Sequence, residues 1–175
     1  MFLTFIKSFC DALHLTFSLI HTVPMVILAD KFLISLSPYV GYFLIVMFEI
    51  SIYTHFITSF SRFSAVFTPI SYQQLFSSKN TQRYVLIAAI IAVTDISVVN
   101  FIFGCYIKYD PDSWVYFYNT EIPICNWYVM YADFMKNLCL VFVDFGIDIV
   151  TLLKVQRMRR QFRSGKRSEN YTKKE

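Results

Sequence analysis

Ser61-Arg62-Phe63-Ser64-Ala65-Val66-Phe67-Thr68-Pro69-Ile70-Ser71-Tyr72 closes a long apolar run that begins near Leu33. Between Leu33 and Ser61 only Glu49 and His55 interrupt apolar and small residues. A stretch of that length exceeds the roughly 20 residues a helix needs to cross a hydrocarbon core of about 30 Å. A guanidinium stands at its end, and a proline follows seven residues later. The proline removes a backbone donor and stops the helix or turns the chain. Taken alone, the Arg is an interfacial side chain whose charge snorkels to the headgroups. With the proline and tyrosine at fixed distances behind it, it marks the edge of a membrane helix with a permanently charged, five-donor group.

The rest of the chain repeats the apolar theme. Its 175 residues are 56% hydrophobic, 19% aromatic and 16% charged. Soluble domains carry about 25% charged residues. The charges gather at the end: 154–175 hold 11 of 28, which leaves 17 for the first 153 residues. This excludes a disordered chain, a disulfide-dense mini-protein and a typical soluble enzyme. Three further helical spans are predicted, about 5–29, 84–107 and 127–153, with the first reading at 33–61. A helix satisfies all its backbone groups internally, as a lipid environment requires. The fold class is therefore all-α, a polytopic membrane bundle of four helices over 1–155 with a basic tail over 156–175.

Basic residues orient the bundle. The 62–83 loop carries Arg62, Lys79 and Arg83 without an acid, and the tail carries nine Lys or Arg against two Glu. Both are expected on the cytoplasmic side. The 108–126 loop, with Lys108 against Asp110, Asp112 and Glu121, is expected outside. The tail suits anionic lipid headgroups better than nucleic acid. No nucleophile elbow, phosphate loop or HExxH motif is present, so no enzyme activity is expected. No cofactor is expected, and His14 and His21 suit a pore-facing or hydrogen-bonded pair better than a metal site.

The Arg–Pro–Tyr spacing resembles the inner end of the third helix of rhodopsin-like G-protein-coupled receptors. More narrowly, the chain resembles the nematode serpentine chemoreceptors of the Srx class. Pro24-Met25, the Ser61–Tyr72 stretch, and Cys105-Tyr106-Ile107-Lys108-Tyr109-Asp110 with Ser113-Trp114, Cys125, Tyr131-Ala132-Asp133-Phe134 and Asp148-Ile149 carry that resemblance. It implies a seven-helix receptor in the plasma membrane that binds a small-molecule cue and couples to a heterotrimeric G protein. The four spans would match its second to fifth helices, with the first, sixth and seventh absent. On that alignment Ser61, Arg62, Phe63, Pro69 and Tyr72 face the G protein, and Ser61 replaces the carboxylate that often precedes the Arg. An alternative is a non-signalling scaffold or assembly subunit derived from a receptor.

Rhodopsin-like receptors pin the outer loop to the third helix by a disulfide. Here the matching region, Ser37-Pro38-Tyr39, has no Cys. Cys105 and Cys125 bracket the loop 20 residues apart and either bridge it or stay as free thiols. Cys10 and Cys139 lie inside apolar spans. Ionisable groups within such spans are candidates for function. Glu49 lies 13 residues before Arg62, about 20 Å up the helix, with Tyr53 one turn below it. Glu49, Tyr53 and Asp95 are expected to give the bundle its polar interior or a ligand contact. Asp133 and Lys136, three residues apart, are expected to pair locally or rim a pocket. Asp144 and Asp148 are expected to repel, so that one pairs with Arg62 or a tail Arg.

Overall fold

The computed structural model describes residues 2–28, 31–110, 113, 115–119 and 122–172. The first span is one helical rod: α1 (Phe2–Phe17), a π-type stretch (Ser18–Thr22) and α2 (Val23–Leu28). Helix α3 (Lys31–Phe67) is unbroken over 37 residues. At 1.5 Å per residue it is about 55 Å long, well beyond the hydrocarbon thickness. A short helix α4 (Pro69–Leu75) leads to α5 (Ser78–Ser97) and a second π-type stretch (Val98–Ile102). After a two-stranded antiparallel hairpin, β1 (Ile107–Asp110) and β2 (Val115–Tyr118), come α6 (Pro123–Trp127), a third π-type stretch (Tyr128–Phe134) and α7 (Met135–Thr172).

Helix α3 is the axis of the bundle: α1, α5, α7 and β1 all pack against it. The core is thin. Cys10 from α1, Val46 and Ile50 from α3, and Ala92 and Ile96 from α5 form its main cluster. Small residues at the crossings let helices approach closely, as membrane packing favours. Large apolar side chains instead point outward, with Ile27 73% and Phe142 67% exposed. Such a surface is stable against acyl chains, where it meets no water. The runs Phe2–Leu28, Lys31–Phe67 and Ser78–Ile102 are long and apolar enough to cross a membrane. The run from Pro123 is equally continuous, but Asp133, Lys136, Asp144 and Asp148 interrupt its apolar stretch.

Several expectations are corrected in detail. The third helical run ends at Ile102, and Ile107 already belongs to β1, because Gly104 at φ 68° turns the chain. That conformation suits glycine, which has no Cβ to clash. The 108–126 loop adds a hairpin to an otherwise helical fold. The 62–83 segment is mostly helix. Helix α3 continues to Phe67, Thr68 breaks it, and Pro69 opens α4 where its missing N–H costs nothing. Ser77 caps α5 by accepting the Asn80 N–H at 3.4 Å. The tail continues α7 to Thr172. Ala29, Asp30 and Trp114 lie outside the described residues.

Candidate functional site

Glu49 sits midway along α3, and its side chain is fully buried. A carboxylate there needs partners, since leaving one unpaired in a low-dielectric interior costs several kcal/mol, roughly 3–5 by deletion. Lys136 at the start of α7 donates to Glu49 Oε2 at 3.1 Å, and Asn137 Nδ2 donates to Oε1 at 2.9 Å. The Lys136 Nζ also reaches Asp95 Oδ2 on α5 at 3.2 Å and lies 5.9 Å from the Tyr53 ring centre. Asn137 donates as well to Asp133 Oδ1 at 3.0 Å, and the Tyr118 hydroxyl of β2 donates to Asp133 Oδ2 at 3.3 Å. One network thus joins three helices and the hairpin through Glu49, Tyr53, Asp95, Asp133 and Lys136.

The local geometry differs from the expected Asp133–Lys136 pair. Asp133 falls in the π-type stretch, whose wider turn places Asn137 rather than Lys136 over it. Lys136 is left to face α3 and α5. Asn137 and Tyr118 were not foreseen as members. An amide inside an apolar run was the available signal for Asn137. Burial, and then the neighbouring Asp133, push the Tyr118 phenol far above its usual pKa, so it stays protonated and donates.

The hairpin roofs this network and is fixed to α3 without a covalent link. The Tyr109 N–H donates to Ser37 Oγ at 3.2 Å. One turn further, Gly41 has no side chain where Ile107 lies: a Cβ there would be 3.0 Å from Ile107 Cγ2 and 3.1 Å from its carbonyl oxygen. Cys105 and Cys125 are bonded to each other, with their Cα atoms 5.3 Å apart, so the bridge closes the loop upon itself. Cys10 is buried and Cys139 exposed, both as thiols. Beneath the hairpin is a cavity of about 390 Å³ bounded by α1, the first π-type stretch, α3 and β2. Its lining is mainly apolar, with His14, Ser18, Thr22 and Tyr118 as the polar edge. His21 is buried, and its Nδ1 lies 3.5 Å from the Tyr116 hydroxyl. No group of residues that could hold a metal occurs among the described residues.

At the opposite end, Arg62 is exposed and forms no ion pair among the described residues. Asp144 pairs with His55 of α3 rather than with an Arg. Asp148 likewise has no ion pair among the described residues, so the expected contact to Arg62 is not made. Ser61 and Phe63 are partly buried, Pro69 is exposed, and the Tyr72 ring stacks on Phe76 at 5.6 Å. Lys154 Nζ lies 5.7 Å from the Phe67 ring centre and so ties α7 to the end of α3.

Long outward-apolar helices around a polar axis define a polytopic helical membrane protein. The family model for the serpentine seven-transmembrane G-protein-coupled chemoreceptors Srx matches residues 1–175. Serpentine receptor class X-43 of Caenorhabditis elegans is 23% identical over 134 residues, which is 77% of this chain and 42% of that relative. The chain belongs to the Srx chemoreceptor family, and it spans less than half the length of that relative.

Proposed function

We propose that this chain forms the second to fifth helices of a chemosensory receptor that takes a small molecule in the cavity beneath the hairpin and couples to a heterotrimeric G protein. The observation that carries the reading is the Glu49–Lys136–Asp95 network, built on a fully buried Glu49 and joined through Asn137 and Asp133 to Tyr118 at the cavity wall. A charged network linking α3, α5 and α7 can adopt a different pairing when a ligand shifts one helix. Binding energy that differs between two such arrangements is what moves a receptor between states. Tyr118 lines the cavity and binds Asp133, so it connects the ligand space to the network.

The same reading assigns the fourth crossing to residues 127–153. Its charges support rather than oppose that assignment, because Lys136 and Asn137 turn inward and Asp144 finds His55 on α3. The 62–83 segment and the basic tail then lie in the cytoplasm, and the protein resides in the plasma membrane with lipid as its main partner. Arg62, free of ion pairs among the described residues, stands with Pro69 and Tyr72 as the G-protein-facing edge. The role is that of a receptor, not an enzyme.

The test is a signalling assay on the full-length gene product expressed in a heterologous cell with a panel of small molecules. A responsive ligand whose effect is lost in Tyr118→Phe and Glu49→Gln, with surface expression retained, supports the reading. Expression at the surface with G-protein activation unaltered by either substitution contradicts it.

A further inference from the structure

A second cavity, of about 430 Å³, opens on the outer face of the bundle between α3 and α5. Its wall is almost wholly apolar and aromatic, with Phe56 and Phe60 from α3 and Ile87 and Ile91 from α5. Phe76 closes one end: its ring centre lies 6.2 Å from Phe60 and 6.0 Å from Tyr84. A groove with this lining offers nothing to a polar cue. It also lies apart from the hairpin-covered cavity, at the end of the bundle that carries α4.

The identity of the occupant comes from what adjoins the groove. On α5, Lys79, Arg83, Ile87 and Ile91 fall at successive intervals of four, which puts them in one continuous row that winds slowly around the helix. Two cations therefore continue the line of the two isoleucines beyond the closed end. Both are exposed, and neither forms an ion pair among the described residues. The segment 62–83 holds no acid to neutralise them. Long basic side chains at a helix end extend to the membrane interface, where phosphate groups lie.

We propose that this groove is a lipid-binding site. It takes an acyl chain of an anionic phospholipid, while Lys79 and Arg83 bind the headgroup. Apolar groove and paired cations match the two parts of that molecule in the correct order along the helix. The proposal rests on membrane insertion alone and is independent of ligand binding beneath the hairpin.

The test reconstitutes the full chain in phosphatidylcholine nanodiscs that contain a trace of phosphatidylserine or phosphatidylcholine bearing a diazirine on the acyl chain. After illumination, labelled peptides are mapped by mass spectrometry. The serine-headgroup probe should label the Phe56–Phe60 and Tyr84–Ile91 segments about 25-fold more than the choline probe, since each of the two cations near the surface adds about fivefold. Lys79→Gln with Arg83→Gln should bring the two probes level. Ile91→Trp, which fills the groove from its exposed rim, should remove both labels while helical circular dichroism stays unchanged. Equal labelling by both probes in the unaltered chain overturns the proposal, because the groove is then ordinary bilayer contact. So does serine-probe labelling that survives the double substitution. Absence of label from the groove with both probes also overturns it, since another part of the protein or a second copy then covers the face.

Discussion

Lys136 and Glu49 are 87 residues apart in sequence, and their charged atoms are 3.1 Å apart at the middle of the longest apolar helix. The same ammonium reaches Asp95, so one lysine holds two carboxylates on two different helices. This arrangement makes the start of α7 a clamp on the α3–α5 pair. It also explains how a run with four charges sits against apolar neighbours: its Lys and Asn point inward.

Asn137 is expected to matter as much as the ions. Its amide donates to both Glu49 and Asp133, at 2.9 and 3.0 Å. Asn137→Leu removes both donations and leaves two carboxylates short of a partner. A loss of about 1–3 kcal/mol is expected for one orphaned buried group. Thermal unfolding in detergent, followed by thiol-reactive fluorescence, should show a lowered midpoint; an unchanged midpoint means the amide is not part of the network.

The hairpin is expected to depend on the missing side chain of Gly41. Gly41→Val places two methyl groups where Ile107 already stands. Overpacking of this kind costs about 1–3 kcal/mol. The hairpin is expected to lift, and limited trypsin digestion should then cut after Lys108, which the unaltered protein resists. Equal cutting in both proteins would show that Gly41 does not set the approach.

The bridge within the loop should be visible chemically. Non-reducing peptide mapping is expected to yield a Cys105–Cys125 linked peptide, with Cys10 and Cys139 alkylated as free thiols. In the chain-entropy picture a closed loop of about this size adds roughly 3 kcal/mol of stability. Reduction should lower the unfolding midpoint in the unaltered protein and leave Cys125→Ser where it already is.

Tyr118 provides a pH test. Its pKa is raised in the folded protein by burial and by Asp133, so the unfolded chain loses this proton first as pH rises. The folded state then binds more protons than the unfolded one, and stability falls as pH climbs past about 10, by up to roughly 1.4 kcal/mol per unit for this group. Below that pH its contribution is fully present. Burial raises the Tyr116 phenol too, so Tyr118→Phe is expected to flatten the alkaline decline rather than abolish it. Unfolding midpoints measured from pH 8 upward in both proteins settle the matter; parallel curves would exclude Tyr118.

The residues themselves announce much of this architecture. Uninterrupted apolar length marks the spans, and the rarity of charge within them draws attention to Glu49, Tyr53, Asp95, Asp133 and Lys136 before any geometry is known. Partner choice is not visible in that way. Helical spacing suggests Asp133 with Lys136, but the π-type stretch changes which side chains share a face, and no periodicity in Tyr128–Phe134 signals it. The His55–Asp144 pair has the same origin, a contact between helices that sequence distance hides. The hairpin is also obscure, because Val115-Tyr116-Phe117-Tyr118 lacks polar alternation: Tyr116 and Tyr118 meet the rings of Tyr109 and Tyr128 on one face, while Phe117 on the other lies beside the Lys108 ammonium.

The most direct measurement is a double-mutant cycle of Glu49→Gln and Lys136→Met, read as unfolding free energy in the same detergent. Each single substitution should cost about 3–5 kcal/mol by stranding its partner, whereas the double should cost clearly less than the sum. A coupling of about 1–3 kcal/mol is the expected result. Strictly additive losses would contradict a direct Glu49–Lys136 contact and, with it, the polar axis on which the bundle is built.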